Sequence, residues 1–185
     1  MSGDSFDVDA APAHSPARPP IEYPAGRPGG GEGRNRSGEV ELKSTRFAGY
    51  AAIFDRPDSS GDIVRKGAFA RAIATGGKGL PLLWQHDAAK PIGVIETLAE
   101  DERGLRIIGR LNDQAAVARE AASLLKERAV DGLSFGYRVR QSIAGANRQL
   151  TDLDLVEVSL VTFPMQPLAR VHAVETNPNG DEHGL

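Results

Sequence analysis

The chain has 185 residues, enough for one domain with a real core and cramped for two, since domains typically run to about 100–150 residues. Hydrophobic residues make up 40% and charged residues 25% of it, the balance of an ordinary globular protein and not of a disordered or membrane-embedded one. The net charge of −3, with no isolated Lys/Arg cluster on a folded-looking segment, argues against a nucleic-acid partner, and the absence of Cys excludes disulfides and thiolate catalysis.

Residues 1–13 contain Asp4, Asp7 and Asp9 but neither a basic nor an apolar stretch of the secretory kind, so no signal peptide is expected there. No apolar run approaches the roughly 20 residues that span a bilayer, and the sequence reads as that of a cytoplasmic protein. Residues 1–38 are Pro, Gly, Ala and charge with hardly a large apolar side chain. Such a segment cannot bury enough surface to offset its ordering entropy, and is expected to be a flexible arm. Residues 176–185 read as a flexible tail for the same reason, which leaves 39–175 as the folded domain.

Within that domain, 40–53 alternates with period two around Phe47 and Tyr50 and predicts one long or two paired strands. The turn-formers of 55–62 (DRPDSSGD) predict a loop. In GAFARAIATGG, Phe69 and Ile73 share a face of a short helix that Gly76 and Gly77 close. The apolar run LPLLWQ ends at His86, and strands are expected near 92–98 and 105–111. The clearest helix is 114–130, with Asn112 or Asp113 available as its cap, a stripe of Val117, Ala121, Leu124 and Leu125, and Gly132 placed to stop it. Strands follow at 133–141 and 150–163, the last ended by Pro164. Strands dominate and two helices pack on them, so the fold class is α+β with a mainly antiparallel sheet or barrel.

Three residues could carry chemistry. Ser134, in GLSFGY, opens a strand after the helix stop, and Gly136 beside it leaves room for a substrate backbone; the segment alone favours a plain turn-to-strand serine. His86, in LLWQHD, sits at a strand end where one side of the imidazole can be buried and the other open, a suitable setting for a general base. Glu157 emerges from the apolar run DLVEVSLVTFP on the opposite face from Val156, Val158 and Leu160. It could orient a histidine, or belong to the polar outer face of an antiparallel strand. GLSFG also fits the nucleophile-elbow pattern, with Asp154 and His172 following. That reading fails because the elbow needs strand, serine, helix, whereas here a helix precedes Ser134 and a strand follows. His86 has no histidine partner at helical spacing, and Asp55, Asp58 and Asp62 do not have EF-hand spacing, so neither metal nor cofactor is expected.

Taken in order, FAGYAAIFDRPDSSGDIVRKGAF, LPLLWQHDAAKPIGV, GLRIIGRL, GLSFGY and LVEVSLVTFPMQPLA resemble the prohead (capsid maturation) protease family of tailed bacteriophages, HK97-type, over about residues 46–170. The resemblance implies a fold related to herpesvirus assemblin: a mainly antiparallel β-barrel surrounded by helices. It implies a serine endopeptidase with Ser134 as nucleophile, His86 as general base and Glu157 as the acidic third member. Backbone amides near Ser134 or in the 163–166 turn would stabilise the oxyanion. Implied substrates are the major capsid protein or scaffold, and the chain's own arm and tail. The implied setting is the assembling procapsid in the cytoplasm of a bacterial host, with a homodimer as an expectation by analogy. The alternatives are a non-catalytic capsid-assembly protein that keeps the protease fold, and an esterase using the same serine.

Overall fold

The computed structural model describes residues 44–77 and 79–177. The expected arm, 1–38, and residues 178–185 of the expected tail lie outside the described residues. Among the described residues, eight strands and two helices follow in the order β1 (Ser44–Ile53), β2 (Ile63–Val64), α1 (Ala70–Ala74), β3 (Pro81–Trp84), β4 (Asp87–Glu100), β5 (Gly104–Leu111), α2 (Ala116–Lys126), β6 (Gly132–Ile143), β7 (Gln149–Val161) and β8 (Val171–Asn177). β8 begins after the last expected strand and carries regular structure to Asn177, inside the stretch expected as tail.

All strands join one mixed sheet. Its path is β2-β7-β3-β4-β5-β1-β8, with β6 pairing to β7. Most neighbours are antiparallel, as the alternating patterns predict; β2 and β3 run parallel to β7. The ends of the sheet touch through one antiparallel bridge, Gly132 to Arg170, without continuous pairing. The shown architecture is thus a strand-rich mixed sheet with few helices.

One apolar core cluster forms, with Phe47, Phe69, Leu82, Ile92, Leu105, Ile107, Leu125, Leu133, Leu153 and Leu160 among its fully buried side chains. Burial at this level contributes about 1.5–3 kcal/mol per large side chain. α1 closes at Gly76 and Gly77, both with positive φ, as their sequence positions suggest.

α2 departs from expectation at both ends. Its N-cap is Ala115, without a side-chain hydrogen bond. Asn112 does not cap the helix; its Oδ1 accepts the amide of Gln114 at 3.2 Å, in the turn before it. The stop is Arg128 at φ 60, not Gly132. The amides of Arg128 and Ala129 reach back to the carbonyls of Leu125 and Leu124, the paired closure of a Schellman motif. Gly132 belongs to β6, where a Cβ would meet the Val161 carbonyl at 2.5 Å; glycine there serves a close approach of strands.

The loop between β1 and β2 is anchored to the β6–β7 hairpin. Asp62, 7% exposed, accepts Arg148 Nε at 2.9 Å and a second bond from the same guanidinium. Asp58 Oδ1 takes the amides of Ser60 and Asp62 at 2.8 and 2.9 Å. The hydrogen bond from Arg148 holds the Asp62 carboxyl below its ordinary value against the opposing effect of burial. A carboxyl whose folded pKa is depressed stabilises the fold above its unfolded pKa, and that contribution disappears as pH falls through the folded value. Urea unfolding measured between about pH 2 and 6 should therefore show part of the acid-induced loss below about pH 4 vanish in Asp62→Asn, with a lower plateau near neutrality.

Candidate active site

The site is assembled on β7. In this strand Glu157 and Ser159 share one face, and their immediate neighbours on the partner strand β6 are Gly136 and Ser134. Directly opposed residues of an antiparallel pair hold their Cβ atoms about 4.5–5.5 Å apart, so four small or acidic residues form a compact square. On its other edge β7 pairs with β3, with Leu83 opposite Ser159 and Trp84 opposite Leu160.

β3 turns back into β4 through Gln85 and His86, with Trp84 paired to Asp87. Both turn residues are left-handed, at φ 54 and φ 59, the geometry of a type I′ hairpin turn that ordinarily favours Asn and Gly. This non-glycine turn is held from outside. The Gln85 amide donates to the Leu160 carbonyl at 2.9 Å. Gln85 Nε2 donates to Thr162 Oγ1 at 2.9 Å, and its Oε1 accepts the Thr162 amide at 3.2 Å. The His86 amide donates to Ser159 Oγ at 3.2 Å.

So fastened, His86 turns its ring toward β7, and Nδ1 lies 2.7 Å from Glu157 Oε1. The His86 side chain is 44% exposed and that of Glu157 10%. A carboxylate only accepts, so Nδ1 carries the proton and the Nε2 of a neutral ring is left with a free lone pair. The burial of Glu157 removes the polar-outer-face reading left open by its sequence pattern. Its second oxygen, Oε2, accepts the Ser159 hydroxyl at 2.5 Å.

Gly136 has a different use from the one expected. A Cβ there would lie 2.7 Å from Glu157 Oε1 and 3.1 Å from its Cγ, so the missing side chain makes room for the carboxylate and not for a substrate backbone.

Ser134 and His86 line one cavity of about 140 Å³, together with Ser60, Val64, Phe135, Tyr137 and Met165. Among the described residues the Ser134 hydroxyl makes no hydrogen bond to His86; such contacts are often long before substrate binds. Phe135 packs at a tilt against Tyr137 and edge-on against Phe69, each at 5.2 Å between ring centroids, which fixes the wall beside the serine. Burial, then the negative charge of Asp62, raises the Tyr137 pKa, keeping the phenol neutral. A larger depression of about 400 Å³, bordered by Arg71, Leu80, Asp154 and Val156, contains neither Ser134 nor His86.

Gln166, in the 163–166 turn whose backbone amides are expected as oxyanion donors, uses its side chain to tie that turn to the end of β1 and the loop after it. Oε1 accepts the Ile53 amide at 2.5 Å, and Nε2 donates to the carbonyls of Ile53 and Arg56 at 2.9 and 3.1 Å. Asp154 pairs with Arg140 and His172 lies edge-on to Tyr50, so the elbow-type alternative finds no support in their positions. Ser159 was not singled out by sequence; only its register opposite Ser134 reveals it. Among the described residues no three His, Asp or Glu side chains converge as a metal site would.

The sequence model described as caudovirus prohead serine protease matches residues 34–182, and the chain belongs to that family. The resemblance seen in the five sequence stretches is borne out. One curated relative, the prohead protease of Enterobacteria phage HK97, is 32% identical over 149 residues, which is 75% of this chain and 66% of that protein. The chain thus spans slightly less than two thirds of its relative. Among solved structures, the KSHV protease in complex with a hexapeptide phosphonate inhibitor aligns with TM-score 0.48 and 15% identity, over 71% of this chain and 65% of that one. The varicella-zoster virus protease aligns with TM-score 0.40 and 17% identity, over 71% of this chain and 64% of its own.

The glycine's role is directly testable. Gly136→Ala should drive the Glu157 carboxylate off the imidazole, and a crystal structure of the variant should show Nδ1 and Oε1 separated beyond about 3.5 Å, with β6 and β7 still in register.

Proposed function

We propose that the chain is a serine endopeptidase of prohead maturation, with Ser134 as nucleophile, His86 as general base and Glu157 as the acid that orients the base. The observation that carries this reading is the buried Glu157 carboxylate on His86 Nδ1, with the opposite edge of the ring free beside a cavity that also holds Ser134. Nε2 takes the Ser134 proton as Oγ attacks a peptide carbonyl. The tetrahedral intermediate collapses when the imidazolium returns that proton to the leaving amine, and water then releases the acyl group by the same relay. Glu157 keeps the proton on Nδ1 and stabilises the transient imidazolium.

The cavity beside the serine is close in size to the roughly 150 Å³ apolar cavity that accepts benzene in another protein, so it suits one apolar side chain of a peptide. Family membership supports the capsid protein or scaffold as substrate, the assembling procapsid of a bacterial host as the setting, and trimming of the chain's own ends. The single bridge between Gly132 and Arg170 supports a barrel-like closure of the sheet with helices around it. A homodimer is part of the same reading.

Co-expression with the cognate major capsid protein tests the proposal. The wild-type chain should shorten the capsid protein, while Ser134→Ala and His86→Ala leave it whole. An uncut capsid protein with folded wild-type chain would favour the non-catalytic assembly reading. Glu157→Gln should keep substrate affinity and lower kcat by about 10²- to 10⁴-fold, by analogy with loss of the orienting acid in other triads.

A further inference from the structure

We infer that Ser159 is a positioning residue of the site, a hydroxyl that fixes the acid and the base to each other; the catalytic part of this inference rests on the function proposed above. Ser159 is fully buried and does not border the cavity that Ser134 and His86 line, so it does not meet substrate. Its hydroxyl nevertheless touches both partners of the orienting pair. It donates to Glu157 Oε2 at 2.5 Å and accepts the backbone amide of His86 at 3.2 Å. A hydroxyl has one proton to give and two lone pairs to offer, and both uses are compatible at once.

The arrangement closes a ring. Glu157 Oε1 meets the imidazole, Oε2 meets Ser159, and Ser159 meets the backbone that carries the imidazole. Without Ser159, the carboxylate keeps one of its two hydrogen bonds, the part-buried one to His86, and can rotate about its last torsion, which is broad for Glu. The His86 amide at the same time loses its acceptor in a turn whose two residues both hold φ values uncommon for non-glycine. The hydroxyl therefore restricts acid and base together, and its removal acts through their relative orientation.

The test has one arm that needs no turnover. In full-length Ser134→Ala, proton NMR should show a low-field His86 Nδ1–H resonance from the bond to Glu157. Adding Ser159→Ala should abolish it or move it upfield; an unchanged resonance overturns the inference. Hydrogen exchange on the chain without any substitution at 159 gives a second reading. The His86 amide should exchange slowly, and fast exchange while the neighbouring strands stay protected counts against the bond.

The other arm is kinetic, with capsid-protein cleavage as the readout. Ser159→Ala should lower kcat by about 10- to 100-fold with KM unchanged, the range expected for a hydrogen bond to a charged group. In a Glu157→Gln background the same substitution should change kcat less than about twofold, because coupled residues are not additive. Equal losses in both backgrounds, or a change confined to KM, would mean that Ser159 acts independently of the acid. If wild-type chain cleaves nothing, the protease reading falls, while the spectroscopic arm still decides whether Ser159 orders the pair.

Discussion

The site depends on how a two-residue turn is fastened to a single strand. β7 supplies Glu157 and Ser159 and, together with Thr162 just past its end, also grips the turn that carries His86. The Glu157 carboxylate and the His86 imidazole therefore refer to the same piece of backbone. The 2.7 Å contact between them does not rely on a long flexible loop for its precision. A site carried on strands is held more tightly than one carried on loops, and here even the turn behaves as an extension of the sheet.

β6 completes the arrangement from the other edge. The antiparallel register that places Ser134 against Ser159 also places Gly136 against Glu157, so the glycine that admits the carboxylate lies two residues from the serine. A slip of one residue would turn the serine to the other face and set a side chain against the acid. The buried Leu133 and Leu160, themselves opposed in the ladder, penalise that slip by exposing core surface. Core packing and site geometry thus enforce the same register. The Asp62–Arg148 anchor brings the β1–β2 loop, with Ser60, over the cavity from the remaining side.

Much of this was legible in the sequence, and unevenly. The long strands showed themselves by alternation, and GLSFGY, LLWQHD and DLVEVSLVTFP contain the three residues proposed for the site. The family likeness in the order of the five stretches was legible too. The His86 turn was hidden, because Gln-His is not a turn-forming pair and its left-handed geometry is imposed by bonds to residues more than 70 positions away. β2 has two residues and offers no period to read. β8 carries a short, weakly alternating sequence, and its pairing with β1 supplies what its own residues do not signal. Gly136 was recognised as special for the wrong neighbour, since only the register reveals which side chain would collide with a Cβ. Ser159 had no signal at all. A serine in an apolar strand looks the same whether it fills space or joins two other residues.

The most direct test of the account is a structure of the chain after reaction with a fluorophosphonate. The account predicts phosphorus bonded to Ser134 Oγ, His86 Nε2 within about 3 Å of that oxygen, and Nδ1 still on Glu157. An adduct on any other residue, or an imidazole turned away from the labelled serine with Glu157 unpaired, would contradict it.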